Sequence, residues 1–496
     1  MRAMKSVAAC ILMTLSLGAS GQSSPLLSGA FVHPGYGASD NALPVGSINN
    51  FLDELQDLGV DTVILSQTRV TSPGGGCASS TSDFEWVSGF PSKLGTILDA
   101  AQQRGLKVYV GTTLTSSECN SFHGSANAIA VRNDILTNFA PVAWSYGSHP
   151  AFAGWYIPDE PGIPTSAQHY YYQQARQALG QIAPGKPVAV SPFLGPSQLP
   201  SPTSVASAAQ AFRNATGIDT QIWQDSIGAF SKAKLAQWDR PGYSTEQYYS
   251  ALASKLGSGL WANLELFNHG APLINSSGGV LSGGYRPAAA HRANQQLWNA
   301  RFASKRVAWL HQIHMSEVGL PGVFAEAPRL QAGYRAVYGI GGAALLAPLN
   351  HSNYTWITPP SPTYPDSGSE MFNTRVGDAT NAQDSNWVGV DGSATLRVDL
   401  GSVKSLDWVG VQTLSKPSWA IRTPTTLQIY CGSTLSGLTL VGTASAPFPQ
   451  SAVNSSSGEE YVLGNYSPLG ASCRYVELRM PNTSWTFIGE VELSKD

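Results

Sequence analysis

Charge is what this chain has least of. Lys, Arg, Asp and Glu together make up 12% of its 496 residues, about half the usual share. The formal net charge is −3, and no run of Lys or Arg occurs. Nucleic acids and anionic lipid surfaces are held by clustered positive charge, so both are excluded as bulk electrostatic partners. Neutral, hydroxyl-rich partners such as a polysaccharide or oligosaccharide suit this surface better.

Long apolar runs are also scarce. Only Val7 to Leu17 stands out, short of the ~20 residues that a membrane helix needs, so no membrane span is expected. That run lies between Arg2 and Lys5 on one side and Ala19-Ser20-Gly21 on the other. This is the layout of an export signal cleaved near Gly21, which predicts a secreted or periplasmic protein. The lipobox-like Val7-Ala8-Ala9-Cys10 precedes most of the apolar run instead of following it.

Cysteine is sparse, and loss of the signal removes Cys10 and leaves Cys77, Cys119, Cys431 and Cys473. An even count in an exported chain suggests disulfides, and pairing Cys77 with Cys119 and Cys431 with Cys473 keeps each bridge inside one domain. Free buried thiols are the alternative. No CxxC pair or nearby His cluster has metal-ligand spacing, and His311 with His314 lacks a third ligand. A Gly-x-Ser-x-Gly elbow with acid and His partners is missing too. His33-Pro34-Gly35-Tyr36-Gly37 after the first strand candidate is not a dinucleotide fingerprint.

What is present is apolar and turn-rich: 42% hydrophobic and 10% aromatic residues, with 50 Gly and 32 Pro. Such a chain can bury a large core in two or three domains. From Gly29 to about Ala347, short β-branched or aromatic runs alternate with longer amphipathic segments. Strands are predicted over 30–33, 62–67, 107–112, 152–157, 187–193, 220–224, 260–266 and 322–325. The intervening helices are predicted over 47–58, 94–104, 128–146, 166–179, 205–215, 245–256 and 286–311, with a last one over 329–337. Eight βα units imply an α/β fold of (β/α)8 TIM-barrel type; a doubly wound sheet is the competitor. Past the Pro-rich stretch from Thr358 to Pro365, helical periodicity gives way to short alternating strands, as in an all-β sandwich. The expected division is a signal at 1–21, a barrel at 22–354, a linker at 355–366 and a sandwich at 367–496.

The stretch Gly154-Trp155-Tyr156-Ile157-Pro158-Asp159-Glu160-Pro161 ends an apolar strand in two carboxylates. Glu160 then stands at the C-terminal end of the fourth strand, and Glu265, in Leu264-Glu265-Leu266, at that end of the seventh. All strand ends of a barrel converge on one face, so these glutamates can oppose each other across it. Carboxyls about 5 to 5.5 Å apart suit retaining glycoside hydrolysis, one attacking the anomeric carbon and one protonating the leaving oxygen. That mechanism needs no cofactor. The acid needs a raised pKa, which apolar neighbours and the other carboxylate supply.

With a glutamate before proline on strand four and one ending strand seven, the chain resembles the large clan of retaining (β/α)8 glycoside hydrolases that includes many cellulases and β-galactosidases. The resemblance implies that Glu160 is the acid/base and Glu265 the nucleophile. Where that clan has an Asn before the acid/base, this chain has Asp159, which can also accept a bond from the sugar. Its whole length further resembles a family of secreted bacterial proteins with a TIM-type domain of unknown function and a discoidin-like module. Candidates to line the mouth are His33, Tyr36, Gln67, Thr112, Thr113, Gln224, Asp225 and Asn263, with Tyr156, Trp223 and Trp261 for stacking. Core packing is the alternative for each aromatic. Glu326, ending the expected eighth strand, is a substitute acid.

The C-terminal part, through Asn386-Trp387-Val388-Gly389, Val398-Asp399-Leu400-Gly401, Thr426 to Tyr430 and Arg474 to Leu478, resembles a discoidin-type, galactose-binding-like jelly roll. Glycan contacts through Trp387, Trp419 or Trp485 and a structural Ca2+ are what that likeness leaves open. The expected function is secreted retaining glycoside hydrolysis. A non-catalytic glycan-binding or adhesion protein is the rival, and a lyase or esterase on the same fold is a third reading.

Overall fold

The structure is a computed structural model that describes residues 26–34, 43–71, 80–87, 89–115, 125–194, 200–229, 244–274, 280–318, 320, 323–346, 352–375, 377–379, 381–446 and 458–496. The proposed export signal, Tyr36, Cys77 and Cys119 lie outside these residues. Among those described, no helix is long and apolar enough to cross a membrane.

Eight parallel strands close into a barrel. They are Gly29–Val32, Thr62–Leu65, Lys107–Gly111, Phe152–Ile157, Val188–Val190, Thr220–Gln224, Leu260–Glu265 and Lys305–Trp309. The first seven fall where alternation of apolar runs predicts them. The eighth does not: the segment expected as one helix over 286–311 contains the helix Ala290–Asn299, the strand Lys305–Trp309 and the short helix His311–His314. Neither Gly nor Pro occurs between 288 and 318 to punctuate it, so helical spacing runs on through the strand. Of the residues expected as strand eight, 322 lies outside the described residues and 323–325 lead into the helix Ala327–Tyr338, with Glu326 as its N-cap.

The barrel wall separates two cores. Inward-facing Phe31, Ile64, Tyr109, Tyr156, Ala189, Ile222, Trp261 and Val307 fill the interior. Residues of opposite parity, among them Trp155 and Trp223, pack outward against the helices. Those helices bury the apolar stripe their sequences carry; Ile48–Asp57 turns Ile48, Phe51, Leu52 and Leu55 to the barrel. At the C-terminal rim, Arg69–Thr71, Phe84–Trp86 and Thr113–Leu114 make a small extra sheet, fixed by the buried pair Arg69–Asp134 at 2.9 Å.

The C-terminal region is a sandwich of two antiparallel five-stranded sheets around its own apolar core. Chain entry is earlier than the expected linker at 355–366. Ala344–Leu345 already pairs with the strand Thr486–Lys495, and Tyr354–Trp356 with Ala394–Leu406. The Pro-rich stretch therefore lies on the sandwich, where Asp366 accepts from Tyr354 and Trp356 at 2.6–2.9 Å. Cys431 and Cys473 are bridged as expected. Helices Ala290–Asn299 and Ala327–Tyr338 carry the barrel's contact with the sandwich. Arg329 lies so close to Gly464 that a Cβ there would meet its Cδ at 2.8 Å.

Candidate active site

Glu160 and Glu265 both stand at the C-terminal rim. Glu265 is the last residue of strand seven, paired in register with Trp309 of strand eight. It shares its parity with Trp261 and Asn263, so all three point inward. The carboxylate is buried and accepts the backbone N–H of Ala229 at 2.6 Å. Burial first, then the charges of Asp225 and Glu160, hold its pKa well above the ordinary range, while the N–H groups of Ala229 and Gly228 oppose the rise.

Glu160 follows strand four by three residues and is partly buried. Burial raises its pKa to about 7, against a hydrogen bond from Gln224, and the neighbouring charge of Asp159 adds to the rise. Each glutamate lies in a field of other carboxylates, so ionising every one together is costly.

Asp159 and Asp225, expected to touch substrate, are both buried with carboxylates that accept from protein donors. Asp159 is fully buried. Its Oδ1 accepts from the N–H and hydroxyl of Thr115 at 3.0 and 2.8 Å. Its Oδ2 accepts from Tyr171, and Tyr172 donates to its carbonyl at 3.0 Å. The residue thus ties the backbone before Glu160 to the helix Ser166–Ile182, and burial lifts its carboxyl to about 6. Asp225 does the same for Glu265: Oδ1 accepts the Glu265 N–H at 3.2 Å, and Oδ2 accepts Gln296 Nε2 at 2.7 Å.

The three stacking candidates are buried. Trp223 faces outward and is fully buried, its Nε1 donating to Gln221 at 3.1 Å. Trp261 points inward but near the start of its strand, against Tyr109 and Lys305, so it plugs the barrel far below Glu265. The Tyr156 ring packs on Phe31 with centroids 5.2 Å apart. Its buried hydroxyl is pushed up by desolvation and by the charges of Glu160 and Asp159.

Asn263 is brought to the pair. Its Nδ2 donates to Ser191 Oγ at 3.2 Å, as does Gln224 Nε2 at 3.3 Å, whereas its buried Oδ1 has no partner among the described residues. A buried acceptor without a donor is costly unless a ligand supplies one. His33 follows strand one, two strands round the barrel from strand seven, between Ser66 and Gln67, with its pKa lowered to about 4 chiefly by burial. It is a neutral imidazole at pH 7.

Trp309, Gln312 and His314 join the rim unforeseen. Partly buried Trp309 contacts Phe31 at 4.8 Å and His33 at 6.0 Å. Gln312 Oε1 accepts the His33 N–H at 2.8 Å. His314 stacks between Phe267 and Phe324 at 4.9 and 5.5 Å. All three belong to strand eight or the helix after it, so placing that strand from sequence is the signal that finds them. No group of three or more His, Cys, Asp or Glu side chains suited to a metal occurs among the described residues.

Residues 27–315, more than half of the chain, match the model of a family described as a domain of unknown function, DUF4434. The chain belongs to that family. No curated protein matches it. Among solved structures, this DUF4434 chain is similar to a putative α-L-fucosidase from Bacteroides thetaiotaomicron, at 16% identity and a TM-score of 0.47 over 68% of this chain and 100% of that one. A glycoside hydrolase family 5 protein from Bacteroides vulgatus has 10% identity and a TM-score of 0.39, over 92% and 90%. A family 32 carbohydrate-binding module of C. perfringens NanJ, in complex with galactose, has 12% identity and a TM-score of 0.22, over 31% and 99%. At such scores the functional reading of the DUF4434 barrel rests on its own residues.

Proposed function

We propose that this DUF4434 protein is an exported glycoside hydrolase acting on a polysaccharide or oligosaccharide by retaining double displacement. The observation that carries the reading is the pair Glu160 and Glu265, ending strands four and seven within each other's field beside the unpartnered Oδ1 of Asn263. A Glu265 carboxylate oxygen attacks the anomeric carbon as the glycosidic C–O bond breaks, and Glu160 gives its proton to the leaving oxygen. Water then attacks the glycosyl ester, Glu160 takes the water's proton, and Glu265 departs. Asn263 and neutral His33 serve sugar hydroxyls, and Trp309 offers an aromatic face.

One observation favours exchanged roles. Glu265 is the more deeply buried of the two, and burial with the charges of Asp225 and Glu160 raises its pKa. A proton-donating Glu265 and a nucleophilic Glu160 would suit that order in the free barrel. The N–H groups of Ala229 and Gly228 support the first assignment, since they stabilise an anionic Glu265 once Glu160 carries the proton.

For the C-terminal region we propose a discoidin-like, galactose-binding-like module that presents Trp419 to glycans. Trp419 is 49% exposed, with Lys416 Nζ 3.7 Å from its ring centre. Trp387 is core, and its Nε1 donates to the Asp378 carbonyl at 2.8 Å.

A panel of polysaccharides and chromogenic glycosides tests the reading. Release of reducing sugar supports a hydrolase; binding without release supports a glycan-binding scaffold; an unsaturated or deacetylated product points to a lyase or esterase.

A further inference from the structure

The helix Ala290–Asn299 presents Arg292 and Gln296, one turn apart, to the underside of the rim that carries Glu265. Gln296 Nε2 reaches the Glu265 carbonyl at 3.0 Å. Arg292 Nη2 donates to the carbonyls of Ile227 and Phe267 at 3.0 and 3.3 Å. Those two carbonyls flank the machinery closely. Ile227 directly precedes Gly228 and Ala229, whose N–H groups face the Glu265 carboxylate, and Phe267 is two residues past Glu265. The two loops touch: a Cβ on Gly228 would come within 2.6 Å of the Phe267 ring.

The other arm of this guanidinium leaves the barrel. Arg292 Nη1 pairs at 3.0 Å with Glu460 Oε1, on the sandwich strand Glu459–Gly464, and Glu460 Oε2 accepts Gln412 Nε2 at 2.8 Å. Both charged partners are nearly inaccessible to water, 8% exposed for Arg292 and 4% for Glu460. A cation so enclosed needs a charged partner and geometrically matched acceptors, and a guanidinium fork can hold several acceptors in one plane.

We propose that Glu460 of the sandwich is a positioning residue for Glu265: by fixing Arg292, it pins the loops after strands six and seven and so aims the N–H groups of Gly228 and Ala229 at the carboxylate. The barrel's candidate site is then completed by the C-terminal sandwich, which has a structural task at the chemistry apart from any glycan binding. The link to catalysis rests on the hydrolase reading, whereas the pinning of the loops does not.

The test is hydrogen exchange of the full mature chain, followed at the amides of 226–229, in Glu460→Ala and Arg292→Lys. Exchange there is expected to quicken at least tenfold in both. Glu492→Gln alters another interface contact, from the His291 N–H at 3.1 Å, and is expected to leave those amides within twofold of wild type. Should Glu460→Ala fail to fold, Glu460→Gln takes its place, with more than a twofold rise expected. Exchange at 226–229 within twofold of wild type in the folded Glu460 variant, or an equal rise in Glu492→Gln, overturns the proposal. On whichever glycoside the wild type cleaves, the Glu460 variant is expected to lose at least tenfold in kcat with KM within twofold, because Glu460 does not reach substrate. A barrel that cleaves no glycoside sinks the hydrolase reading alone and leaves exchange to decide this one.

Discussion

Glu265 pairs in register with Trp309 across strands seven and eight, so a carboxylate and a partly exposed indole stand side by side at the barrel mouth. An aromatic face there suits the apolar side of a sugar ring. Replacing Trp309 by Ala should lower kcat/KM by roughly 10- to 100-fold, about 1.4–2.7 kcal/mol of transition-state binding. Steady-state kinetics check this, with circular dichroism to confirm folding; an unchanged kcat/KM removes Trp309 from the site.

Protonation of Glu160 sets a pH dependence. A general acid with a pKa of about 7 predicts that kcat/KM falls as pH rises through about 7, and that Glu160→Gln abolishes this limb. The sign for stability follows. A carboxyl raised above its unfolded value binds its proton better in the native state, so its contribution is complete below about pH 4 and lost as pH climbs toward 7. Glu160→Gln should therefore be stabilising by roughly 1–3 kcal/mol at pH 8 and nearly neutral at pH 4. Urea denaturation at the two pH values measures the difference.

Asp159 is expected to act as an anchor. Tyr171→Phe deletes a donor to its buried carboxylate and should cost about 1–3 kcal/mol of stability. KM should stay within about threefold of wild type, because the carboxylate faces protein. A large rise in KM with intact stability would return Asp159 to the sugar.

The bridge between Cys431 and Cys473 spans 42 residues. Loop-closure entropy makes it worth about 4 kcal/mol to the sandwich. Cys473→Ser should lower the sandwich's free energy of unfolding, measured by denaturant titration, by that amount, and dithiothreitol should reproduce the loss on the wild type.

The sequence made the barrel legible because seven of its strands are apolar runs bounded by turn residues, and inward and outward positions alternate along them apart from an irregularity in strand four that leaves Phe152 and Trp155 both facing outward. Strand eight was hidden by its own chemistry. Lys305 and Arg306 open it, Lys305 reaching Asp61 and overlying Trp261, and neither Gly nor Pro separates it from the helix before. Losing that strand also hid Trp309, Gln312 and His314. Glu160 and Glu265 were addressable by counting strands, which the missing eighth does not disturb. The roles of Asp159 and Asp225 were not legible. Whether a carboxylate faces a ligand or the backbone depends on donors far away in sequence, such as Thr115, Tyr171 and Gln296, and periodicity carries no record of those contacts. The same holds for Arg292 and Glu460, 168 residues apart.

The most direct test of the central claim is turnover of Glu265→Ala, with and without azide, on a glycoside that the wild type cleaves. The account predicts loss of release by at least ~10⁴-fold, restored by azide as a glycosyl azide of inverted anomeric configuration. Undiminished release, or an inverted azide from Glu160→Ala instead, would contradict it.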